Sequence, residues 1–165
     1  MMPDLLFYTD FQGGFPTYLF MLSIRPMTRQ DLPAVLAIES EVQPNPWSEQ
    51  AFVDELESRV SGARVALWDG TLAGFLLTRE LLGEMEILNL AVAGHSQRKG
   101  IARALLESRI AQSAGGSLES IFLEVRIGNQ PARRLYCSLG FEAAGLRKRY
   151  YADAEDALVM IKKMR

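Results

Sequence analysis

From Met21 onward the chain passes between short apolar runs and stretches in which apolar residues recur every third or fourth position. Leu22 to Met27 alternates and predicts a first strand. Thr28 with Asp31 three residues on resembles a capping box and opens a helix carrying Leu32, Val35, Leu36 and Ile38, stopped by Pro44 and Pro46. Ser48 caps a second helix with Glu49 in its first turn and Phe52, Val53 and Leu56 as its stripe. Arg64–Trp68 and Leu72–Thr78 flank Asp69-Gly70, a hairpin signal. A strand from about Glu84 carries the mainly apolar run Ile87 to Val92, too short to cross a membrane. Ile101, Leu105, Leu106 and Ile110 then recur at helical spacing, with Arg103, Glu107 and Arg109 among the polar positions and Gly115-Gly116 as the stop. Ser120 to Arg126 is another strand. Asn129 or Gln130 opens a helix with stripe Ala132, Leu135, Tyr136 and Leu139, and Gly140 stands where a C-cap glycine belongs. Phe141–Tyr151 and Ala157–Lys163 read as a closing antiparallel pair. The expected fold is α/β with a mixed sheet.

The unit around which the rest is arranged is the strand, turn and helix from Ile87 to Leu106. A helix's first N–H groups lack internal partners and lie at the positive end of its dipole, so they bind phosphate. Gly100 lets a ligand approach the backbone, Ala102 is nearly as small, and Arg98, Lys99 and Arg103 add charge. A pyrophosphate cradle is the functional expectation; an ordinary glycine turn is the residue-level alternative.

Composition narrows the rest. The 165 residues suit one domain, with 48% hydrophobic and 23% charged positions and a net charge of −2, which removes the electrostatic case for a general nucleic-acid binder. Cys137 is the single cysteine and His95 the single histidine, so no internal disulfide forms and a zinc site of usual ligands is not expected. No metal and no membrane partner are expected, and a reducing cytoplasmic location fits. Residues 1–20 are aromatic, carry Asp4 and Asp10, lack Lys and Arg, and do not make a secretory signal. They read as a leader, broken by Gly13, Gly14 and Pro16, with Met21 the alternative start of a single domain over 21–165.

Three stretches occur together: Gln97-x-x-Gly100-x-Ala102, Leu123-Glu124-Val125-Arg126, and Asn129-x-x-Ala132-x-x-Leu135-Tyr136-x-x-x-Gly140-Phe141. In this order they resemble the GNAT acetyltransferase superfamily, over nearly everything from Leu22 to Met164. Pro46-Trp47-Ser48-Glu49-x-x-Phe52 and Arg149-Tyr150-Tyr151 before Glu155-Asp156-Ala157 narrow the resemblance to the ribosomal-protein-alanine N-acetyltransferase (RimI-like) type. The resemblance implies a GNAT fold, a mixed, mostly antiparallel sheet flanked by helices, with acetyl-CoA as co-substrate. It implies that the backbone of Leu90, Ala91 and Val92 holds the acetyl end, that Arg98, Lys99, Gly100, Ile101, Ala102 and Arg103 cradle the pyrophosphate, and that Asn129 contacts the cofactor. Glu124 is then the general base and Tyr136 the general acid, with transfer direct in a ternary complex to a protein N-terminal amine, a ribosomal protein's N-terminal alanine.

That chemistry asks little of the base. A protein N-terminus has pKa ~7.7–8.0, so roughly a tenth is already neutral at pH 7, whereas a lysine near ~10.4 costs about 4 kcal/mol more. A carboxylate such as Glu124 suffices, a phenol such as Tyr136 donates a proton to the leaving thiolate, and N–H groups at the end of the Ile87–Val92 strand stabilise the oxyanion if the sheet splays open there, as the resemblance implies.

Each residue also has a plainer reading. Alternation puts Phe122, Glu124 and Arg126 on one face, so Glu124 can simply pair with Arg126. Glu84 and Glu86 are rival bases or exposed charges at a strand start. Tyr136 lies on an apolar stripe. Cys137, beside it, points ~100° away. His95 reads as a solvated loop residue. Trp47, Tyr150 and Tyr151 are the substrate-side candidates, Trp47 being either a staple beside Ser48 or a wall of the peptide groove. The loop after Tyr151 departs from the family pattern: no proline follows, and Glu155 arrives early. Asp153, Glu155 and Asp156 either attract a basic peptide or form an acidic turn. The enzymatic alternative is a lysine or small-molecule acceptor; a non-catalytic acyl-CoA-binding module is the other.

Overall fold

The computed structural model describes residues 4–12, 15–113 and 118–164, with side chains described from Met21 onward. The breaks read at Gly13-Gly14 and Gly115-Gly116 lie outside the described residues. The elements are β1 (Asp4–Gln12), β2 (Phe15–Pro26), α1 (Leu32–Val42), α2 (Glu49–Glu57), β3 (Ser61–Trp68), β4 (Thr71–Leu81), β5 (Glu84–Val92), α3 (Ile101–Ser113), β6 (Ser120–Arg126), α4 (Gln130–Ser138), β7 (Glu142–Arg147) and β8 (Ala157–Lys163). Strand order is β1-β2-β3-β4-β5-β6-β8-β7. β5 pairs β6 in parallel, while β1–β2, β2–β3, β6–β8 and β7–β8 are antiparallel. Two compact units result, Met1–Leu77 with Asn89–Gln112 and Thr78–Leu88 with Ser113–Arg165.

In the first unit the hairpin falls where Asp69-Gly70 predicts it, with φ of 49° and 80°. Asp69 also accepts from the Met21 backbone N–H at 2.9 Å. The capping box forms, but it opens a 3-10 turn, Arg29–Asp31, ahead of α1. Asp31 accepts from the Thr28 N–H at 2.8 Å and takes both guanidinium nitrogens of Arg25, which hold its carboxyl below the usual range. The first strand is longer than Leu22–Met27 predicts, because β2 begins at Phe15 and pairs with β1. Val35, Ile38, Phe52, Val65, Phe75, Leu76, Leu105 and Leu106 are among the buried residues of this unit. On α3 the expected apolar stripe is joined by Arg109, which the pattern placed among the polar positions and which is buried.

In the second unit β6 buries Ile121, Leu123 and Val125 and turns Phe122, Glu124 and Arg126 to the other face, the alternation read from the sequence. Its parallel ladder with β5 runs from Glu84↔Ser120 to Ile87↔Leu123, and both strands continue past it. The closing pair is shorter than expected. β7 ends at Arg147, because Arg149 takes a left-handed φ of 50° and gives its N–H to Asp156 Oδ1 at 2.8 Å. That turns the chain away from the ladder before Tyr150 and Tyr151.

Candidate active site

The first unit holds the turn expected to cradle a cofactor. After β5 a short 3-10 turn, Gly94–Ser96, leads to Arg98 and Gly100, both with positive φ (65° and 80°), and α3 starts at Ile101. The Gly100 carbonyl accepts the N–H of Ala104 at 3.0 Å, so the N–H groups of Ile101, Ala102 and Arg103 form the open first turn. Gln97 Nε2 donates to the Val92 carbonyl at 3.2 Å, tying the loop back to the strand. Arg98 is exposed, Lys99 lies over the Trp68 ring at 5.2 Å, and Arg103 reaches Glu107 at 3.3 Å. Backbone donors, a small residue at the closest approach and three cations fit a pyrophosphate. Leu90, Ala91 and Val92 end β5, with Ala91 buried.

Two features of this unit escaped the sequence reading. A Cβ at Gly74 would stand 2.8 Å from the Ala91 carbonyl oxygen and 3.2 Å from Val92, so only glycine lets β4 lie this close to the end of β5. A glycine inside a strand was the available signal. The other is Glu39 on α1, 1% exposed, with both carboxylate oxygens 3.1 Å from Asn89 Nδ2 and one 2.9 Å from the Trp47 N–H. Asn89 Oδ1 in turn accepts from Gln43 Nε2 at 3.1 Å. Burial raises the Glu39 carboxyl against the opposing pull of these donors. Its place in the helical pattern gave no sign of this.

Trp47 is half-buried, and its ring lies 5.7 Å from Phe52, four positions past the Ser48 cap, whose hydroxyl accepts from Ala51 N–H at 3.2 Å. This is staple geometry. His95 is exposed, as a loop residue should be.

The second unit holds the acid–base candidates. Glu124 pairs with Arg147 of β7 at 3.0 Å; the expected partner, Arg126, is committed elsewhere. The register explains the exchange. β8 lies between β6 and β7, Arg126, Ala157 and Arg147 share one row, and a long side chain from that row reaches the next row diagonally past a small alanine. Arg126, mostly buried, binds Asp153 at 2.8 Å and Glu155 at 2.7 Å and stacks 3.9 Å over the Tyr151 ring. Through those hydrogen bonds it holds both carboxyls below their ordinary range. Glu155 also accepts from Gly128 N–H at 2.9 Å. Asp153 and Glu155 bind Arg126 and Asp156 accepts the Arg149 N–H, the contacts of an acidic turn, while the carboxylates still outnumber the one guanidinium they share.

Tyr136 is buried edge-on to Phe141 at 5.6 Å. Burial, then the neighbouring Tyr151 phenol, pushes its pKa far up, so at neutral pH it keeps the proton a general acid must donate. Tyr150 and Tyr151 stand edge to face at 5.2 Å, with Arg147 5.4 Å over Tyr150. Asn129 Oδ1 accepts from Ala132 N–H at 3.2 Å as the N-cap of α4. Cys137 and Glu84 are exposed, and Glu86 is half-buried.

The second unit thus carries a carboxylate, Glu124, and a buried phenol, Tyr136, and the first a turn that fits a pyrophosphate. The chain belongs to the acetyltransferase (GNAT) family, whose model matches residues 32–141, and it is an N-acetyltransferase. It is 36% identical over 143 residues to the [ribosomal protein bS18]-alanine N-acetyltransferase of Escherichia coli, covering 85% of this chain and 96% of that one. An N-alpha-acetyltransferase of Saccharolobus solfataricus is 29% identical over 155 residues, covering 86% and 93%. The crystal structure of the Escherichia coli S18-alanine N-acetyltransferase superposes with a TM-score of 0.81, over 87% of this chain and 94% of that one. Arabidopsis thaliana NAA60 in complex with acetyl-CoA, at 20% identity and a TM-score of 0.79, shares the fold; it covers 87% of this chain and 99% of that one.

Proposed function

We propose that the chain transfers the acetyl group of acetyl-CoA to a protein N-terminal amine, the N-terminal alanine of ribosomal protein bS18, directly in a ternary complex. The observation that carries this is the 36% identity to the Escherichia coli bS18-alanine enzyme over 96% of that enzyme's length. Such an acceptor belongs to the translation machinery, so the proposal carries a cytoplasmic location with it.

Acetyl-CoA, when bound, supplies an acetyl group on a thioester. On this reading the N–H groups of Ile101, Ala102 and Arg103, with Arg98, Lys99 and Gly100, hold its pyrophosphate, Asn129 contacts it, and the backbone of Leu90, Ala91 and Val92 receives the acetyl end. N–H groups of β5 beyond Ile87, past the end of the ladder to β6, donate to the developing oxyanion. Glu124 accepts the acceptor's proton. For a group of pKa ~8, with about a tenth already neutral at pH 7, a carboxylate is adequate. Tyr136 returns a proton to the leaving sulfur, which its buried, protonated phenol permits. Trp47, Tyr150 and Tyr151 line the acceptor side.

The test is acetyl-CoA turnover with peptides bearing free Ala, Ser or Met N-termini and with a blocked peptide containing lysine. The proposal expects the bS18-type alanine peptide to be preferred by at least tenfold. Preference for lysine overturns it.

A further inference from the structure

Among the buried ionisable groups that the mechanism leaves unused, Glu39 is the most enclosed. Glu39 is 1% exposed, and among the described residues no cation lies within ion-pair distance of it. Burying a carboxylate without a counter-charge is costly, and an apolar side chain at such a position is commonly as stable or more so. Here the charge is met only by neutral donors: Asn89 Nδ2 at 3.1 Å to each oxygen and the Trp47 N–H at 2.9 Å. The main chain of Glu39 takes part too, its carbonyl accepting the Gln43 N–H at 2.9 Å. Gln43, whose side chain donates to Asn89, and Trp47 bracket the loop Gln43–Ser48 between α1 and α2, where Pro44 and Pro46 have no N–H to offer. Asn89 stands immediately before Leu90, Ala91 and Val92 on β5.

We propose that Glu39 and Asn89 are positioning residues for the acceptor: together they fix the Pro44–Trp47 loop at a set place relative to the acetyl-receiving end of β5. The loop then forms the wall that reads the acceptor's first residue. This rests on the acetyl-transfer reading above. Trp47 is held at both ends, its N–H by Glu39 and its ring by Phe52, so losing the carboxylate frees one end while the staple remains.

The hydrogen-bond polarity of the pair supplies a sharp test. In N89D two carboxylates face each other. Adding E39Q restores every partner: the new amide donates to the new carboxylate, its oxygen accepts the Trp47 N–H, and the new carboxylate accepts from Gln43 Nε2. The chain has two tryptophans, so in a W68F background Trp47 fluorescence reports the loop alone. For N89D the expected result is at least a twofold rise in acrylamide quenching of Trp47, about a tenfold rise in acceptor KM, and acetyl-CoA affinity within twofold. E39Q/N89D should return quenching and KM to within twofold of the W68F parent. Quenching that rises without a change in acceptor KM overturns the positioning role, as does a KM that rises with unchanged quenching or a double variant that restores neither. Should N89D fail to fold, N89S removes the amide donor without adding charge, and unchanged quenching and KM in N89S are equally fatal. The parent is first assayed for its acceptor. If no alanine-ended peptide is turned over, the proposed substrate fails, and the KM comparison runs on the acceptor that is used.

Discussion

Glu39 and Glu124 are two carboxylates handled in opposite ways. Glu39 is sealed in the first unit and bonded only to amides, and burial raises its carboxyl. Glu124, on the open face of β6, is 13% exposed in its side chain and shares its charge with a half-exposed guanidinium. A carboxylate committed to holding a loop is satisfied in place. Glu124, the base on the proposed function, is instead paired with a guanidinium whose other side faces solvent. Sequence alternation picked out the second and had no means of seeing the first.

The comparison breaks first at Glu124. Glu124→Gln should lower kcat/KM by ~10²–10⁴-fold while acetyl-CoA affinity stays within twofold. Turnover within twofold of the parent removes Glu124 as base. Tyr136→Phe should cost less, about 10²-fold in kcat, because a leaving thiolate needs its proton less urgently than an ammonium must lose one; product formation under saturating acceptor measures it. At Glu39 the expected effect is on stability and has a definite sign. Its raised carboxyl means the folded state binds the proton more tightly than the unfolded chain, so its contribution is present below the unfolded value of ~4.3 and is lost as pH rises through the folded value. Glu39→Gln should therefore gain melting temperature relative to the parent at pH 7 compared with pH 4. A difference that does not move with pH would mean that the carboxyl titrates alike in the folded and unfolded chain. Smallest of all, on the proposed direct transfer Cys137→Ser, at an exposed thiol, should leave turnover unchanged; a large loss would point to an acyl-cysteine route.

Most of the architecture was legible because period and punctuation agree. Asp69-Gly70 made its hairpin, Ser48 made its cap, and the β6 alternation put Glu124 and Arg126 on one face. What escaped depends on contacts between residues far apart in the chain. Glu124 and Arg126 lie two positions apart on one face, yet Glu124 pairs with Arg147 across the inserted β8, and Arg126 with Asp153 and Glu155 of the loop that leads into β8. Glu39 and Asn89 are separated by 50 positions, and nothing local marks either as a partner. Gly74 was the exception, a long-range contact with a local sign: glycine amid Ala73, Phe75 and Leu76 in a buried strand.

The Arg126 cluster has an electrostatic consequence. Asp153 and Glu155 share one guanidinium, which stacks on Tyr151, so the cluster keeps a net negative charge. If this loop lines the acceptor side as proposed, its residual charge draws a basic peptide from a distance, and capture of such a peptide should slow as ionic strength rises.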